Sequence, residues 1–182
     1  MDYQLNTRLN GNIAMTSRFH ENKRLQRDKT LYKFLWVQNG SLAVEVDHIP
    51  MKLAKDEIIT LTPLHHLEVK EVEGEYLTLV FNSNFYCIFG HDDEGSSQVM
   101  RLELSEEQSS GLHDIVRGFC RESAISDSFQ EEMLRIMLKR FIITCTRIAR
   151  TKFSVGREHE KAFDIIRQFY VLVDGNFREK KQ

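Results

Sequence analysis

Long apolar runs, paired cysteines and a surplus of either charge are all missing from this chain of 182 residues. No uninterrupted apolar stretch reaches the roughly 18 residues that span a bilayer, and the polar start from Met1 to Asn12 lacks the apolar centre of a signal peptide. Membrane insertion and export are therefore not expected. The three cysteines, Cys87, Cys120 and Cys145, are odd in number, far apart and free of any C-x-x-C pair. That argues against a disulfide framework and a zinc ribbon, and for a reducing, cytoplasmic setting. A formal net charge of -2 gives no overall attraction to nucleic acid or membrane, so such binding would need a local patch. No G-x-S-x-G elbow, phosphate loop or H-E-x-x-H helix occurs, and hydrolase and kinase chemistry have no support.

What is present divides into two halves. A hydrophobic content of 41% over this length suits one sizeable core with a helical extension better than two large domains. Ile13 to Phe19 can form a first strand, and Arg24, Arg27, Asp28 and Lys29 read as a solvated loop. From Leu31 to Phe81 the chain reads as short strands about ten residues apart. Leu31 to Val37 is apolar and aromatic, Gln38-Asn39-Gly40 predicts a hairpin turn, and Leu42, Val44 and Val46 then alternate with Ala43, Glu45 and Asp47. Further strands are expected at Met51 to Leu53, Ile58 to Thr62, His65 to Val69 and Tyr76 to Phe81, with Pro63 ending one of them for want of an N-H. This spacing points to a sandwich or barrel rather than βαβ units.

Beyond Ser105 the pattern is helical. Ser105-Glu106-Glu107-Gln108 has the form of a capping box, and Leu112, Ile115, Val116, Phe119 and Cys120 follow at helical spacing. Ser128-Phe129-Gln130-Glu131 repeats the pattern before a helix whose apolar residues cover more than half its circumference. Such a helix usually has two partners, so homodimerisation is expected through Leu134, Met137, Leu138, Phe141, Cys145 and Ile148. Residues 153–157 read as a linker, and a last amphipathic helix from about Glu158 to Phe177 carries Phe163, Ile166, Phe169, Tyr170 and Val173.

The Asn39-Gly40 turn, the Lys55-Asp56-Glu57-Ile58-Ile59 stretch and Thr62-Pro63-Leu64-His65-His66 resemble the cupin barrel of AraC-family transcription regulators. The order of elements agrees with that family. The resemblance implies an α+β chain: a cupin-like β-barrel (double-stranded β-helix) over 1–104 that senses a small-molecule effector, followed by an antiparallel helical segment. In it 105–152 would pair two copies, 153–157 would link, and 158–182 would begin a DNA-binding domain whose helix-turn-helix units the chain does not contain. Contact with DNA would come through that domain alone, no enzymatic activity is implied, and Gln182 is expected to mark a cut through a longer regulator, the alternative being a natural protein without the output domain. Leu64 departs from the family, which often has glycine after the proline.

Phe34, Trp36, Val44, His66 and Tyr76 are the expected ligand-binding residues. Adjacent His65 and His66 point to opposite faces of an extended segment, so at most one enters the barrel, and both can equally lie at the surface. For Phe34, Trp36, Tyr76, Phe81, Phe85 and Tyr86 core packing is the commoner role, with a pocket wall as the alternative. No metal or other cofactor is expected: metal-binding cupins need a His-x-His pair, whereas the matching strand reads Lys33-Phe34-Leu35-Trp36-Val37. His91-Asp92-Asp93-Glu94 reads as a solvated turn, and Glu71, Glu73 and Glu75 as the outer face of a strand. Arg135, Lys139, Arg140, Arg147, Arg150 and Lys152 scatter over several helix faces and make no nucleic-acid stripe. The rival readings are a metal-dependent cupin isomerase or dioxygenase and a cyclic-nucleotide-type regulatory domain, although the latter's phosphate cassette is not found.

Overall fold

The computed structural model of the chain describes residues 4–9, 13–63, 65–85 and 99–153. Leu64, Tyr86, Cys87, the His91 to Glu94 run, the expected linker beyond Phe153 and the expected last helix lie outside these residues. Seven strands, β1 (Gln4–Leu9), β2 (Ile13–Thr16), β3 (Leu31–Val46), β4 (Ile49–Ala54), β5 (Glu57–Leu61), β6 (Leu67–Asn82) and β7 (Met100–Glu103), form one antiparallel sheet. Its order is β1-β2-β6-β3-β5-β7, with β4 also paired to β3. Among the described residues three α-helices, α1 (Lys23–Arg27), α2 (Glu106–Ser123) and α3 (Gln130–Phe153), and a short 3-10 turn at Phe19–Glu21 complete an α+β arrangement. Among the described residues the sheet is open, with β1 and β7 at the ends of its path, and the closed barrel is not seen.

The expected hairpin at Asn39-Gly40 does not form. Residues 31–46 are one strand, paired along its length with a second long strand, β6, in which the separate segments expected on either side of Gly74 are fused. The positive φ that glycine permits is used inside the ladder instead. Gly40 (φ 75) pairs with Gly74 (φ 114), and a Cβ on Gly40 would lie 1.8 Å from the Glu73 carbonyl oxygen. Two bulges flank this crossing. Val37 pairs with Tyr76 but Asn39 with Glu75, so Gln38 is an extra residue on β3. Ala43 pairs with Glu71 but Val44 with Val69, so Lys70 is extra on β6.

Each bulge reverses which residues of its strand face inward. On β3, Leu31, Leu35 and Val37 lie with Leu42, Val44 and Val46 in one apolar cluster, odd positions before Gln38 and even ones after it. On β6 the same cluster takes Leu67 and Val69, then Tyr76 and Val80 beyond Lys70. With Phe19, Leu53, Ile59 and Leu61 these residues make the inner core. The outer core holds the other face: Tyr32, Phe34, Trp36, Leu77, Leu79 and Phe81, covered by Leu112, Val116 and Phe119 of α2 and Leu134, Leu138 and Phe141 of α3.

Local signals explain the elements. The Ser105 hydroxyl accepts from the Gln108 N-H at 3.2 Å and the Gln108 side-chain oxygen accepts from the Ser105 N-H at 2.9 Å, completing the expected capping box. Ahead of α3, the Gln130 side-chain amide donates to the Glu122 and Ser123 carbonyls at 3.3 and 3.1 Å, tying the start of α3 to the end of α2. Buried Glu57 accepts from Arg101 at 2.9 and 2.7 Å and from the Ala54 N-H at 2.6 Å, joining β5, β7 and the β4–β5 turn. The stretch read as a solvated loop contains α1, whose buried Gln26 donates to the Phe19 and His20 carbonyls and accepts from the Val69 N-H, each at 3.0 Å.

Candidate functional site

The inner core contains a residue that apolar patterning hides. Lys33 follows Leu31 and precedes Leu35 on the inward face of β3 and is 0% exposed. Its Nζ donates to the Asp28 carbonyl at 2.6 Å. Burial pushes the ammonium below the usual lysine range, against the opposing attraction of Asp28 and then Asp47. A buried cation answered mainly by a main-chain oxygen is the strongest electrostatic feature of the inner face.

Asp47 marks the corner beside it. Asp47 and His48 both take positive φ, 49° and 68°, at the β3–β4 turn. The Asp47 carboxylate bonds His65 Nδ1 at 2.5 Å and accepts from the His66 N-H at 2.8 Å, and these two bonds hold it below the usual carboxylate range. The His66 ring lies 5.9 Å from the His48 ring, nearly parallel to it, and its buried Nδ1 has no hydrogen-bond partner. His65 is thus committed to Asp47, while His66 leaves a ring nitrogen unmatched.

The five expected ligand residues divide between the two faces. Val44 and Tyr76 belong to the inner core, and His66 directly precedes Leu67 of that core. The Tyr76 hydroxyl accepts from the His20 N-H at 2.8 Å and bonds His20 Nδ1 at 2.7 Å; desolvation raises its pKa to about 12. Phe34 and Trp36 are in the outer core, because the Gln38 bulge separates their phase from that of Val44. Phe34 meets Phe141 edge-on at 5.6 Å, and the Trp36 ring lies 4.4 Å from His113 of α2. A small space between sheet and helices is lined by Met15, Phe34, Trp36, Leu79, Val116 and Phe141.

The expected pairing residues are also placed within the single chain. Leu134, Leu138, Phe141, Cys145 and Ile148 are buried in the outer core, and Met137 packs against it. The strongest apolar period of α3 is met by the chain's own sheet and α2. Its outward side keeps Met133 at 37%, Ile136 at 52% and Ile143 at 39% exposure, and Phe129, just ahead of the helix, is 70% exposed. No cluster of metal-ligating side chains and no helix long and apolar enough to cross a membrane occurs among the described residues.

Sequence reasoning passed over Lys33, because a lysine between Tyr32 and Phe34 reads as the polar phase of a half-buried strand. Its signal was the uninterrupted aromatic and apolar surroundings of 31–37, the pattern of a strand buried on both faces.

No protein-family model matches the chain, and no curated protein matches it. Among solved structures it is similar to an apo variant of ToxT from Vibrio cholerae, at 15% identity and a TM-score of 0.41 over 64% of this chain and 47% of that one. Unsaturated-fatty-acid-bound ToxT from Vibrio cholerae is similar at 14% identity and 0.38, over 66% and 47%. The AraC-like transcriptional activator CuxR is similar at 10% identity and a TM-score of 0.43, over 70% of this chain and 47% of that one. The matches span about half the length of these neighbours, which are ToxT and an AraC-like activator.

Proposed function

We propose that the chain is the ligand-sensing and pairing region of an AraC-type transcription regulator, acting in the cytoplasm without catalysing a reaction. In this reading the cupin-like sheet takes a small effector on its inner face, α2 and α3 bring two copies together, and the signal passes to a helix-turn-helix domain outside this sequence. The observation that carries it is the two-faced sheet. Adjacent residues of β3 alternate between the Lys33 side and the helix-bearing side, so a ligand that moves Lys33 or Leu35 also moves Phe34 and Trp36 under the helices. The effector must favour one arrangement over the other to shift the equilibrium.

Pairing falls to the residues of α3, and Phe129 just ahead of it, that its own sheet leaves uncovered. Phe129, Met133, Ile136 and Ile143 follow one another at spacings that keep them on one side of a helix. Light scattering on the purified chain is expected to show a dimer at micromolar concentration, and Ile136→Glu a folded monomer. A wild-type monomer would remove the pairing half of the reading. A thermal-shift screen of small organic acids should find a stabilising compound whose effect Lys33→Met abolishes; a response unchanged in that variant would move the effector off the inner face.

A further inference from the structure

We propose that a cleft on the other side of the molecule, between the β3 bulge and α2, is a second small-molecule site and that it takes a polyhydroxylated carboxylate of the sugar-acid class. The cleft has a volume of about 400 Å³ and is lined by Gln38, Lys55, Asp56, Ser109, His113 and Arg117, together with Glu106 and Ser110. That volume lies within the range of small-ligand sites.

Its floor is fixed from three directions. Asp56, at φ 62°, donates its N-H to the Val37 carbonyl at 2.8 Å and accepts from the Leu104 N-H at 2.8 Å. Its Oδ1 accepts from the Ser109 hydroxyl at 2.6 Å, which joins the β4–β5 turn to α2. The site is therefore organised before a ligand arrives.

The unmatched groups are donors. Among the lining side chains, Gln38 Nε2 is buried without a hydrogen-bond partner; Trp36 Nε1, likewise unmatched, belongs to a residue that lines the small space between sheet and helices instead. A buried N-H with no acceptor costs free energy that an incoming oxygen recovers. Beside them His113 is held below the usual imidazole range by burial and then by Arg117, so at neutral pH it offers one donor and one acceptor.

The remaining lining selects among oxygen-rich ligands. Lys55, 3.8 Å from Asp56 Oδ2, and Arg117, which donates to Asp114, are largely exposed cations whose further N-H groups answer a ligand carboxylate, while the Ser110 hydroxyl and the Asp56 and Glu106 carboxylates accept from ligand hydroxyls. The same two carboxylates disfavour a multiply charged phosphate, and the polar lining disfavours an apolar acid. Because the cleft bridges the β3 bulge and α2, occupancy would brace the sheet against the helical layer.

Trp36 is the sole tryptophan of the chain and touches His113, so its fluorescence reads the cleft directly. Titrating D-glucuronate into the whole purified chain should give a saturable change in Trp36 emission with a midpoint below about 1 mM, confirmed by calorimetry. Gln38→Leu and Arg117→Ala should each weaken it at least about tenfold, as should replacing the acid by D-glucose, while Lys33→Met leaves it unchanged. Arg117 is largely exposed, so its truncation reports on the cleft even where Gln38→Leu disturbs the bulge. No saturable change with D-glucuronate, D-galacturonate or D-gluconate up to about 20 mM overturns the site. So does binding that survives both cleft variants, matches that of D-glucose, or is lost in Lys33→Met.

Discussion

Lys33 is a side chain whose chemistry fits its surroundings poorly. An ammonium at 0% exposure loses its hydration and receives a carbonyl in return, which does not replace a paired counter-ion. Its folded-state pKa lies below the ordinary value, so between the two values the unfolded chain holds the proton that the folded chain has released. Stability then rises with pH through that window, and below it the full penalty of burying the charge is present. Lys33→Met is therefore expected to raise the stability at neutral pH by an amount on the order of 1 kcal/mol, and the advantage should shrink as the pH approaches the ordinary lysine range. Urea melts of both proteins across alkaline pH measure this. A variant less stable than wild type at neutral pH would show that the Asp28 bond outweighs the burial.

At the scale of elements, the glycines show how much the backbone decides. Gly40 lies in the ladder with positive φ, and a methyl group there would overlap the Glu73 carbonyl. Gly111 lies in the interior of α2 with nothing within 4 Å of where a Cβ would stand. Gly40→Ala is expected to destabilise the protein by about 3 kcal/mol or more, and Gly111→Ala to stabilise it by roughly 0.5–1 kcal/mol. Chemical denaturation of the two variants decides this; similar effects would mean that the ladder relaxes around Gly40. The same contrast explains what the sequence disclosed. Capping of α2 was legible because Ser105 and Gln108 act within one turn, and the ends of β5 and β6, at Leu61 and Asn82, lie one residue from the Thr62 and Phe81 that composition indicated. The role of Gly40 was not, since a positive φ serves a hairpin and a bulge equally and the choice depends on Gly74, distant in sequence. Arg101 and Glu57, 44 residues apart, are likewise a pair that only the β5–β7 ladder brings together. The faces of Phe34, Trp36 and Val44 were misaligned by one inserted residue, and α3's buried stripe was legible as a stripe but silent about which surface covers it.

At the scale of the whole molecule, one sheet is shared by two cores. Leu35 looks into the inner one and Leu138 covers the outer one, both at 0% exposure. Because each strand of the β3–β6 ladder supplies both cores, neither can be lost while the other keeps its wall. Leu35→Ala and Leu138→Ala should each cost about 2–5 kcal/mol and shift the same calorimetric transition. Two transitions moved separately would instead make the helices an independent unit. That sharing also bears on how such a chain can change over generations. The pairing of β3 with β6 leaves Gly40 and Gly74 one residue out of step, yet Leu31 with Asn82 and Val46 with Leu67 stand in the same step as each other. Gln38 and Lys70 are compensating insertions. Deleting either alone would slide the far end of the ladder by one residue and turn its apolar side outward, whereas deleting both restores the step. Lineages that carry this sheet are thus expected to keep the two residues together or lose them together.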